Sequence, residues 1–425
     1  RGALSWPGLF EQPRVELEQL QAEAQWRREG EGANARWSLK LPQLRFANAD
    51  ASGELQLNWH TGAGTARQPR WPGVLDLSAR LERADGTRVH RYLPLAIAEP
   101  ARRYVREAVL RGQARDARFR VKGDLARFPF ARPDEGEFLI SATLSDVDFR
   151  YVPPFVAEAG APPWPTLEGL QGRFVIDRHE MRLEDMQGGV AGSPGFRLQK
   201  AQARLDDYTH LGQVDVNLRA SAPAAEMVGF VNRSPLARMT SDVLAQARFG
   251  GPAELQLRLG LPLSRIADSQ VRGSVQLAGN DLQFSPDTPL LARTVAQLQF
   301  SEQGFDVGQA SARAYGGELR FSGGMRPGPD GRAGRIAFQG QGQATAEGLR
   351  GARELAFLAP LLQAASGGAP YQVQLAFADG GRPDLAVTSS LQGLALALPA
   401  PLDKAAAASL PLRVAFGPLP AEGGL

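Results

Sequence analysis

Strict alternation of apolar and polar residues is the feature that most restricts how this chain can fold. In residues 54–59, and again in residues 254–261, every second residue is apolar. Successive side chains of a strand point to opposite faces of a sheet, so this pattern predicts antiparallel strands with one buried and one solvated face. Similar runs recur along most of the chain. Short clusters rich in Gly, Asn and Asp, such as residues 278–281, separate them and are typical of hairpin turns.

Few segments have a helical pattern. The clearest is 98–110, with Pro100 in its first turn and Gly112 placed to cap its C-terminus. Weaker helices are predicted for 224–248, with a break near residues 234–235, and for 350–365, interrupted at Pro360. Parallel strands would need many more helical crossovers, so the pattern favours consecutive hairpins.

The predicted fold is mainly β. We expect a long, strongly twisted antiparallel sheet of consecutive hairpins, curled into an open, taco-like groove, with a few short helices. About twenty strands at ~4.8 Å spacing would make an open sheet of unusual length unless it curls. We divide the chain into N-terminal groove strands (1–97), a helix with strands, a basic segment and a Pro-rich loop (98–165), groove strands with a helical segment (166–250), and hairpin repeats with C-terminal strands (251–425). Together these segments are expected to form one continuous elongated sheet.

The sequence offers little for catalysis or metal binding. The chain has no cysteine, which excludes disulfides, thiolate zinc sites and iron-sulfur clusters. Its four histidines lack metal-ligand spacing. We interpret Asp206 and Asp207 near His210 as part of a turn, and Asp146 and Asp148 as the solvated face of a strand. No catalytic residue, metal site or cofactor is predicted, and we expect the chain not to be an enzyme.

Residues 98–132 form a basic segment, with ten basic and four acidic residues in a chain whose net charge is +3. Arg102 and Arg106 lie one helical turn apart, and Arg118 and Arg120 share a strand face. An ordinary solvated surface explains this segment. The alternative is contact with anionic lipid head groups or a protein partner. Aromatic residues that could stack on bases are sparse here, so no nucleic-acid partner is predicted.

Residues 312–323, ARAYGGELRFSG, show the alternation in its simplest form. Residues 316–317 are expected to form the bend. Glu318 and Arg320 should then face water, and Leu319 and Phe321 the apolar side. Since no residue here is suited to bond cleavage or transfer, we interpret the segment as one unit of a repeated lining.

Three phrases resemble the YhdP family, large AsmA-like members of the bridge-like bacterial lipid-transfer proteins. Residues 92–130 place Leu-Pro before a short helix and end on Gly-x-Leu-x-x-Phe-Pro-Phe. Residues 303–324 resemble an AsmA-type hairpin, and residues 391–414 contain Leu-Pro-x-Pro-Leu-x-Lys. The resemblance implies an internal or C-terminal fragment, the periplasmic portion of an inner-membrane-anchored protein of a Gram-negative bacterium. No catalytic residue is known to us in this family, so none is assigned.

The resemblance also implies a function. The β-groove would carry phospholipid between the inner and outer membranes and so support outer-membrane lipid homeostasis and barrier function. The membrane would be reached through segments absent from this chain, and other envelope proteins are candidate partners.

Lipid transfer suits the alternation on physical grounds. A phospholipid with about 30 acyl methylenes exposes surface worth roughly 20 kcal/mol in water, at about 0.8 kcal/mol per CH₂. A continuous apolar trough removes this cost without an enzyme. The predicted lining residues are Leu55, Leu57, Trp59, Leu75, Leu77, Phe119, Val121, Phe138, Ile140, Val214, Val216, Leu255, Leu257, Leu259, Val275, Leu277, Leu319, Phe321, Val373, Leu375 and Phe377.

Two other functions fit a β-rich chain. The first is a structural or interaction module of a cell-envelope protein, built of β-sandwiches whose apolar faces bury one another. The second is a polysaccharide-acting β-solenoid enzyme, which would normally gather carboxylates at one site.

Overall fold

Two compact units make up the chain, residues 1–218 with 259–269 (unit 1) and residues 219–258 with 270–425 (unit 2). Strands dominate the regular structure and the helices are short, which confirms the mainly β prediction. The four-segment division made from the sequence stays a prediction. The computed structural model describes residues 2–32, 35–65, 68–240, 244–286, 288–326, 335–377 and 384–416.

Unit 1 contains a small hairpin and a ladder in which each strand pairs antiparallel with the next. The hairpin strands are β1 (Gly2–Ser5) and β2 (Arg14–Leu17). A 3₁₀ helix (Gly86–Tyr92) and α1 (Glu99–Ala108) connect β6 to β7, and short 3₁₀ turns lie at Leu125–Arg127 and Ile266–Asp268. The ladder strands are β3 (Gln19–Glu29), β4 (Arg36–Ala47), β5 (Ala51–His60), β6 (Val74–Asp85), β7 (Val109–Asp124), β8 (Gly136–Phe149), β9 (Leu167–Asp177), β10 (Glu180–Val190) and β11 (Ser193–Leu205).

Unit 2 has the same antiparallel plan, with two helical connections. Strands β15 to β21 pair in sequence order, while β13 adds to β15, β22 to β20 and β23 to β21. These strands are β13 (Arg248–Phe249), β15 (Gln270–Gln283), β16 (Leu291–Ser301), β17 (Gly304–Ala314), β18 (Gly317–Arg326), β19 (Arg335–Thr345), β20 (Ala365–Phe377), β21 (Asp384–Ser389), β22 (Leu394–Leu396) and β23 (Leu412–Phe416). The helices are α2 (Ala224–Asn232), α3 (Leu236–Met239), α4 (Ala346–Gly351), a 3₁₀ helix (Arg353–Leu358) and α5 (Ala359–Gln363). Two further strands, β12 (Gln213–Pro223) and β14 (Pro252–Pro262), contribute residues to both units.

The predicted helices are present, but several of their predicted boundaries are wrong. The segment predicted as helix 224–248 contains α2 and α3, which end at Asn232 and Met239, and Arg248 already belongs to β13. Helix α1 is followed directly by β7, so Gly112 is not its cap. Gly112 is buried in β7, where a Cβ would lie 2.6 Å from Cγ2 of Val147. Pro360 does not interrupt a helix. It lies in the first turn of α5, where its missing N–H leaves no hydrogen bond unmade.

Three aspartates mark bulges in the unit 1 ladder. Each has a positive φ near 50° and lies where the pairing register shifts. Each also pairs with a basic side chain of a neighbouring strand. Bulges increase the local twist of a strand, so these three positions are a physical source of the strong twist that was predicted for the sheet. The pairs are Arg80–Asp116 at 2.5 Å, Arg111–Asp146 at 2.8 Å and Lys200–Asp185 at 3.4 Å.

Asn280 organises the backbone near the start of unit 2. Its side chain is fully buried, and its Nδ2 donates hydrogen bonds of 2.8 Å to the carbonyls of Gly250 and Pro252. Its Oδ1 accepts a 2.8 Å bond from the Ala278 N–H. The buried Asn280 amide thus satisfies three backbone groups in a part-buried site.

Replacing Asn280 with leucine should lower the free energy of unfolding by about 1–3 kcal/mol, because three part-buried backbone groups would lose their hydrogen-bond partner. Urea denaturation followed by far-UV circular dichroism measures the change. The control is Gln276→Leu in the same strand, where the side chain is exposed and a change within about 0.5 kcal/mol is expected. Equal stability of the two variants would contradict this account of Asn280.

Candidate functional site

An unbroken row of apolar residues crosses the whole unit 1 ladder. Register pairs Phe119 of β7 with Ala79 on one side and Ile140 on the other, and the pattern continues strand by strand. Directly paired residues share a face, so the row lies on one side of the sheet. It spans roughly 38 Å at ~4.8 Å per strand. From β3 to β11 its members are Ala22, Leu44, Leu55, Ala79, Phe119, Ile140, Ile176, Met181 and Leu205.

Unit 2 has an equivalent row across seven strands. It begins with Val275 opposite Leu298 and continues through β21. Its one glycine, Gly323, is covered by the ring of Phe338, since a Cβ at Gly323 would lie 2.6 Å from Cδ1 of that ring. From β15 to β21 the members are Val275, Leu298, Val307, Gly323, Phe338, Leu375 and Leu385. We call the side of each ladder that carries these rows the apolar face.

The predicted lining residues are mostly half-buried. Among the twenty whose side chains the structure describes, Phe138 and Leu319 are buried and the others are intermediate, whereas Gln56 and Asn58 between them on β5 are exposed. The side chain of Phe377 lies outside the described residues. Core residues of a packed domain are usually enclosed by 6–12 neighbours. Most side chains of the apolar face instead remain partly accessible.

One buried cluster on the apolar face of unit 2 is formed within one sheet. The buried residues Ala296, Val307 and Ala310 form a cluster with partly buried side chains that include Leu277 and Phe321. The members of this cluster come from strands β15 to β19. Neighbours on the same face therefore provide this burial. The lining role of these residues stays a prediction.

The opposite face of each ladder is polar, and in unit 1 it carries cross-strand ion pairs. Arg120 lies between Asp76 and Glu137, with its Nε 3.0 Å from the Glu137 carboxylate. On β11, Arg204 binds Glu180 at 2.7 Å, and this hydrogen bond holds the pKa of the Glu180 carboxyl below its usual value. Opposite charges thus compensate each other on a surface that faces water.

The arginines considered for head-group contact mostly have carboxylate partners. Arg102 and Arg106 share Glu11, at 3.1 and 3.7 Å, and the Arg102 side chain is 13% exposed. Arg120 has the two partners just described, and Arg118 is exposed on the same strand. Head-group contact by these residues stays a prediction.

The acidic pairs noted in the sequence do not assemble into a site. Arg111 binds both Asp146 and Asp148, at 2.8 and 3.0 Å. Asp207 accepts hydrogen bonds within its own turn, 2.8 Å from Thr209 N and 2.7 Å from His210 Nδ1. In the part of the chain that the structure describes, no group of three or more His, Asp or Glu side chains could hold a metal ion.

The hairpin at 312–323 bends one residue earlier than predicted. Ala314 pairs with Gly317, so Tyr315 and Gly316 form the bend, with φ of 53° and 84°. Positive φ at both central residues is the type I′ geometry, which suits the twist of a hairpin. Gly317 is therefore the first residue of β18. Leu319 is buried and Phe321 half-buried, as members of the apolar face.

Some residues of the apolar face were missed from the sequence. Leu44, Ile176, Met181 and Leu205 belong to the unit 1 row, but their own strands are interrupted by bulges or short turns. The alternation in residues 174–176 is a local signal that could have identified Ile176. Leu44, Met181 and Leu205 could be assigned to the apolar face only from the pairing register of the neighbouring strands.

These features define a class: a mainly β protein in which consecutive antiparallel strands build one apolar and one polar face. A family model described as "YhdP protein" matches residues 2–421, so the chain belongs to the YhdP family. A search of the curated proteins and of the solved structures finds no match. Among the described residues there is no helix with the length and apolar character needed to cross a membrane.

Proposed function

We propose that the apolar face carries the acyl chains of phospholipids and that the chain is part of a lipid-transfer groove in the cell envelope. The observation that carries this proposal is the nine-strand apolar row of unit 1, whose side chains remain partly accessible. The curling of each ladder into an open groove is part of the proposal. Twisted antiparallel ladders can curl in this way.

Continuity of the row matters energetically. An acyl chain that moves from strand to strand keeps apolar contact at each step of ~4.8 Å. A polar strand in its path would expose about four methylenes, at a cost of about 3 kcal/mol. Along the unit 1 row no such interruption occurs, since every paired position from Ala22 to Leu205 is apolar.

Family membership supports the wider setting of the proposal. The chain would act in the periplasm of a Gram-negative bacterium, between the inner and outer membranes, and would support the outer-membrane barrier. Phospholipid is its proposed partner, together with other envelope proteins and with membranes reached through other segments. The proposed activity is non-enzymatic and uses no catalytic residue.

Lipid analysis of the purified chain tests this function. After expression in a Gram-negative host and gentle purification, native mass spectrometry should find at least about one phospholipid per chain, and solvent extraction should recover the same species. After delipidation, the chain should take up phospholipid from vesicles. A chain that neither copurifies with lipid nor acquires it would instead support packed β-sandwiches with a structural role.

A further inference from the structure

Aromatic residues gather at one edge of the apolar face in unit 1. This edge lies where β5 ends and β6 begins. We call the group the aromatic rim and define it as Trp26, Trp59, Trp71, Phe128 and Phe130. Two members lie on strands, and three come from the connections that follow β5 and β7.

Register places the rim at the end of the apolar face. Trp26 pairs with Leu39, which pairs with Trp59, so both indoles lie on the apolar side, two strands apart. The Trp71 ring centroid is 5.4 Å from that of Trp59. The Trp59 Nε1 donates a 2.9 Å hydrogen bond to the Pro72 carbonyl, which fixes this pair to the strand end.

Phenylalanines continue the rim across β7 and β8. The row that contains Trp59 reaches Gly123 and then Gly136, which pair with each other. The ring of Phe130 covers both glycines, because a Cβ at either one would lie 2.8 Å from it. Phe128 lies against this ring, with centroids 5.8 Å apart.

Three rings of the aromatic rim are exposed to solvent. Trp26 is 75% exposed, Trp71 59% and Phe128 46%, whereas Phe130 is fully buried and the apolar residues of β5 and β6 behind Trp71 are half-buried. Tryptophan combines a large apolar ring with an N–H donor and favours the boundary between hydrocarbon and water. Arg127, exposed beside Phe128, adds a positive charge suited to a phosphate.

The opposite strand ends have a different character. There α1 and residues 150–166 connect the strands, and Tyr104 of α1 donates a 3.0 Å hydrogen bond to the Tyr151 carbonyl. Burial raises the pKa of the Tyr104 hydroxyl to about 12. Tyr104 at this edge is therefore packed into the protein and Trp6 is 40% exposed, whereas three rings of the aromatic rim are more exposed, those of Trp26, Trp71 and Phe128.

We propose that phospholipid head groups leave the groove over the aromatic rim. The acyl chains lie on the apolar face, the glycerol ester region contacts the indoles, and the phosphate projects into water near Arg127. This inference rests on the proposed lipid-transfer function and adds the orientation of the lipid to it. The ligand class is an amphiphile with a phosphate head group and two acyl chains.

Fluorescence quenching with position-labelled lipids tests the orientation. The six tryptophans permit two variants of the full chain. The rim variant carries Trp6→Phe, Trp37→Phe and Trp164→Phe, and so keeps the three rim indoles. The control variant carries Trp26→Phe, Trp37→Phe, Trp59→Phe and Trp71→Phe. It keeps Trp6 and Trp164, whose segments contact or form the connections at the opposite strand ends.

Each variant is loaded to equal occupancy with phosphatidylcholine bearing a nitroxide either on the head group or near the methyl end of one acyl chain. In the rim variant, the head-group label should quench emission at least about two-fold more than the acyl label, because nitroxide quenching requires proximity. In the control variant, the head-group label should quench much less. Circular dichroism confirms that both variants fold.

If the head-group label quenched the control variant more strongly than the rim variant, the proposal would be overturned and the head groups would lie at the opposite edge. Equal or stronger quenching of the rim by the acyl label would also overturn it. If mass spectrometry shows bound lipid but neither variant is quenched, the rim assignment alone fails. If no lipid binds to either variant or to the unmodified chain, the proposed function fails and the orientation fails with it.

Discussion

Leu57→Glu is expected to lower phospholipid retention by the purified chain about ten-fold or more. Leu57 pairs with Leu41 on one side and Leu77 on the other, in the middle of the apolar face of unit 1. An acyl chain lying there would have to strip water from a carboxylate that has no partner on that face, a cost of several kcal/mol. A tenfold loss corresponds to only about 1.4 kcal/mol. Native mass spectrometry of equal amounts of protein measures the retained lipid.

The matched control is Gln56→Glu. Gln56 is the adjacent residue of the same strand, pairs with Ser78 and is exposed on the polar face. The Gln56→Glu variant carries the same new side chain one residue away from Leu57, but on the polar face. Its lipid retention should therefore remain within about two-fold of that of the unmodified chain. Equal losses in both variants, or no loss in either, would contradict acyl-chain binding on the apolar face.

A second pair applies the same comparison to unit 2. Leu277 pairs with Ala296 on the apolar face, and the adjacent Gln276 pairs with Gln297 on the polar face. Leu277→Glu should reduce retention and Gln276→Glu should not. A loss in the Leu57 variant without one in the Leu277 variant would restrict lipid binding to unit 1.

The thermal stability of the Leu57→Glu and Leu277→Glu variants distinguishes an open groove from a closed core. Leu57 and Leu277 are both half-buried, so without bound lipid an introduced carboxylate stays in contact with water and should cost little stability. We expect melting temperatures within about 5 °C of the unmodified chain, roughly 1–2 kcal/mol for domains of this size. Global unfolding of both glutamate variants would instead favour sandwiches whose apolar faces bury one another.

The alternation of single strands was sufficient to predict the fold class, because side-chain direction in a strand has a fixed period of two. It also placed Leu57 and Phe119 on the same face as their neighbours. Register was harder to predict, since a bulge shifts the pairing by one residue, as at Asp116 and Asp146. The sequence does not show which residues of neighbouring strands such a shift brings together.

Contacts between segments that are distant in the chain could not be predicted from the sequence either, because no local pattern shows which segments meet. Glu11 is some ninety residues from Arg102, and no local pattern pairs them. The stacking of Trp71 on Trp59 depends on how the intervening connection folds back over the strand end. The local rule for a C-cap glycine failed at Gly112, because the chain enters a strand directly and the glycine provides close packing against Val147.

The 312–323 hairpin is the site of the second substitution for which we expect a large effect, here on the free energy of unfolding. Helix α4 packs against its bend, with the Thr345 N–H donating a 2.9 Å hydrogen bond to the Tyr315 carbonyl. A Cβ on Gly348 would lie 2.1 Å from the backbone C and O of Tyr315, and backbone atoms cannot move aside as the end of a side chain can. Glycine at this position therefore permits the close approach of helix and hairpin.

Gly348→Ala should lower the free energy of unfolding of unit 2 by about 2–4 kcal/mol, because the helix must separate from the bend to admit one methyl group. The control is Gly351→Ala in the same helix, where a Cβ would meet nothing within 4 Å. Alanine favours helix and restricts the unfolded chain, so this change should be neutral or stabilising by up to about 1 kcal/mol.

Urea denaturation measures both changes in the free energy of unfolding. Changes of opposite sign in the two variants would show that packing, not helix propensity, decides the effect at Gly348. A loss of the same size in both variants would mean that the contact with Tyr315 does not control stability. If the signs do differ, contact with α4 stabilises the hairpin that presents Leu319 and Phe321 to the apolar face.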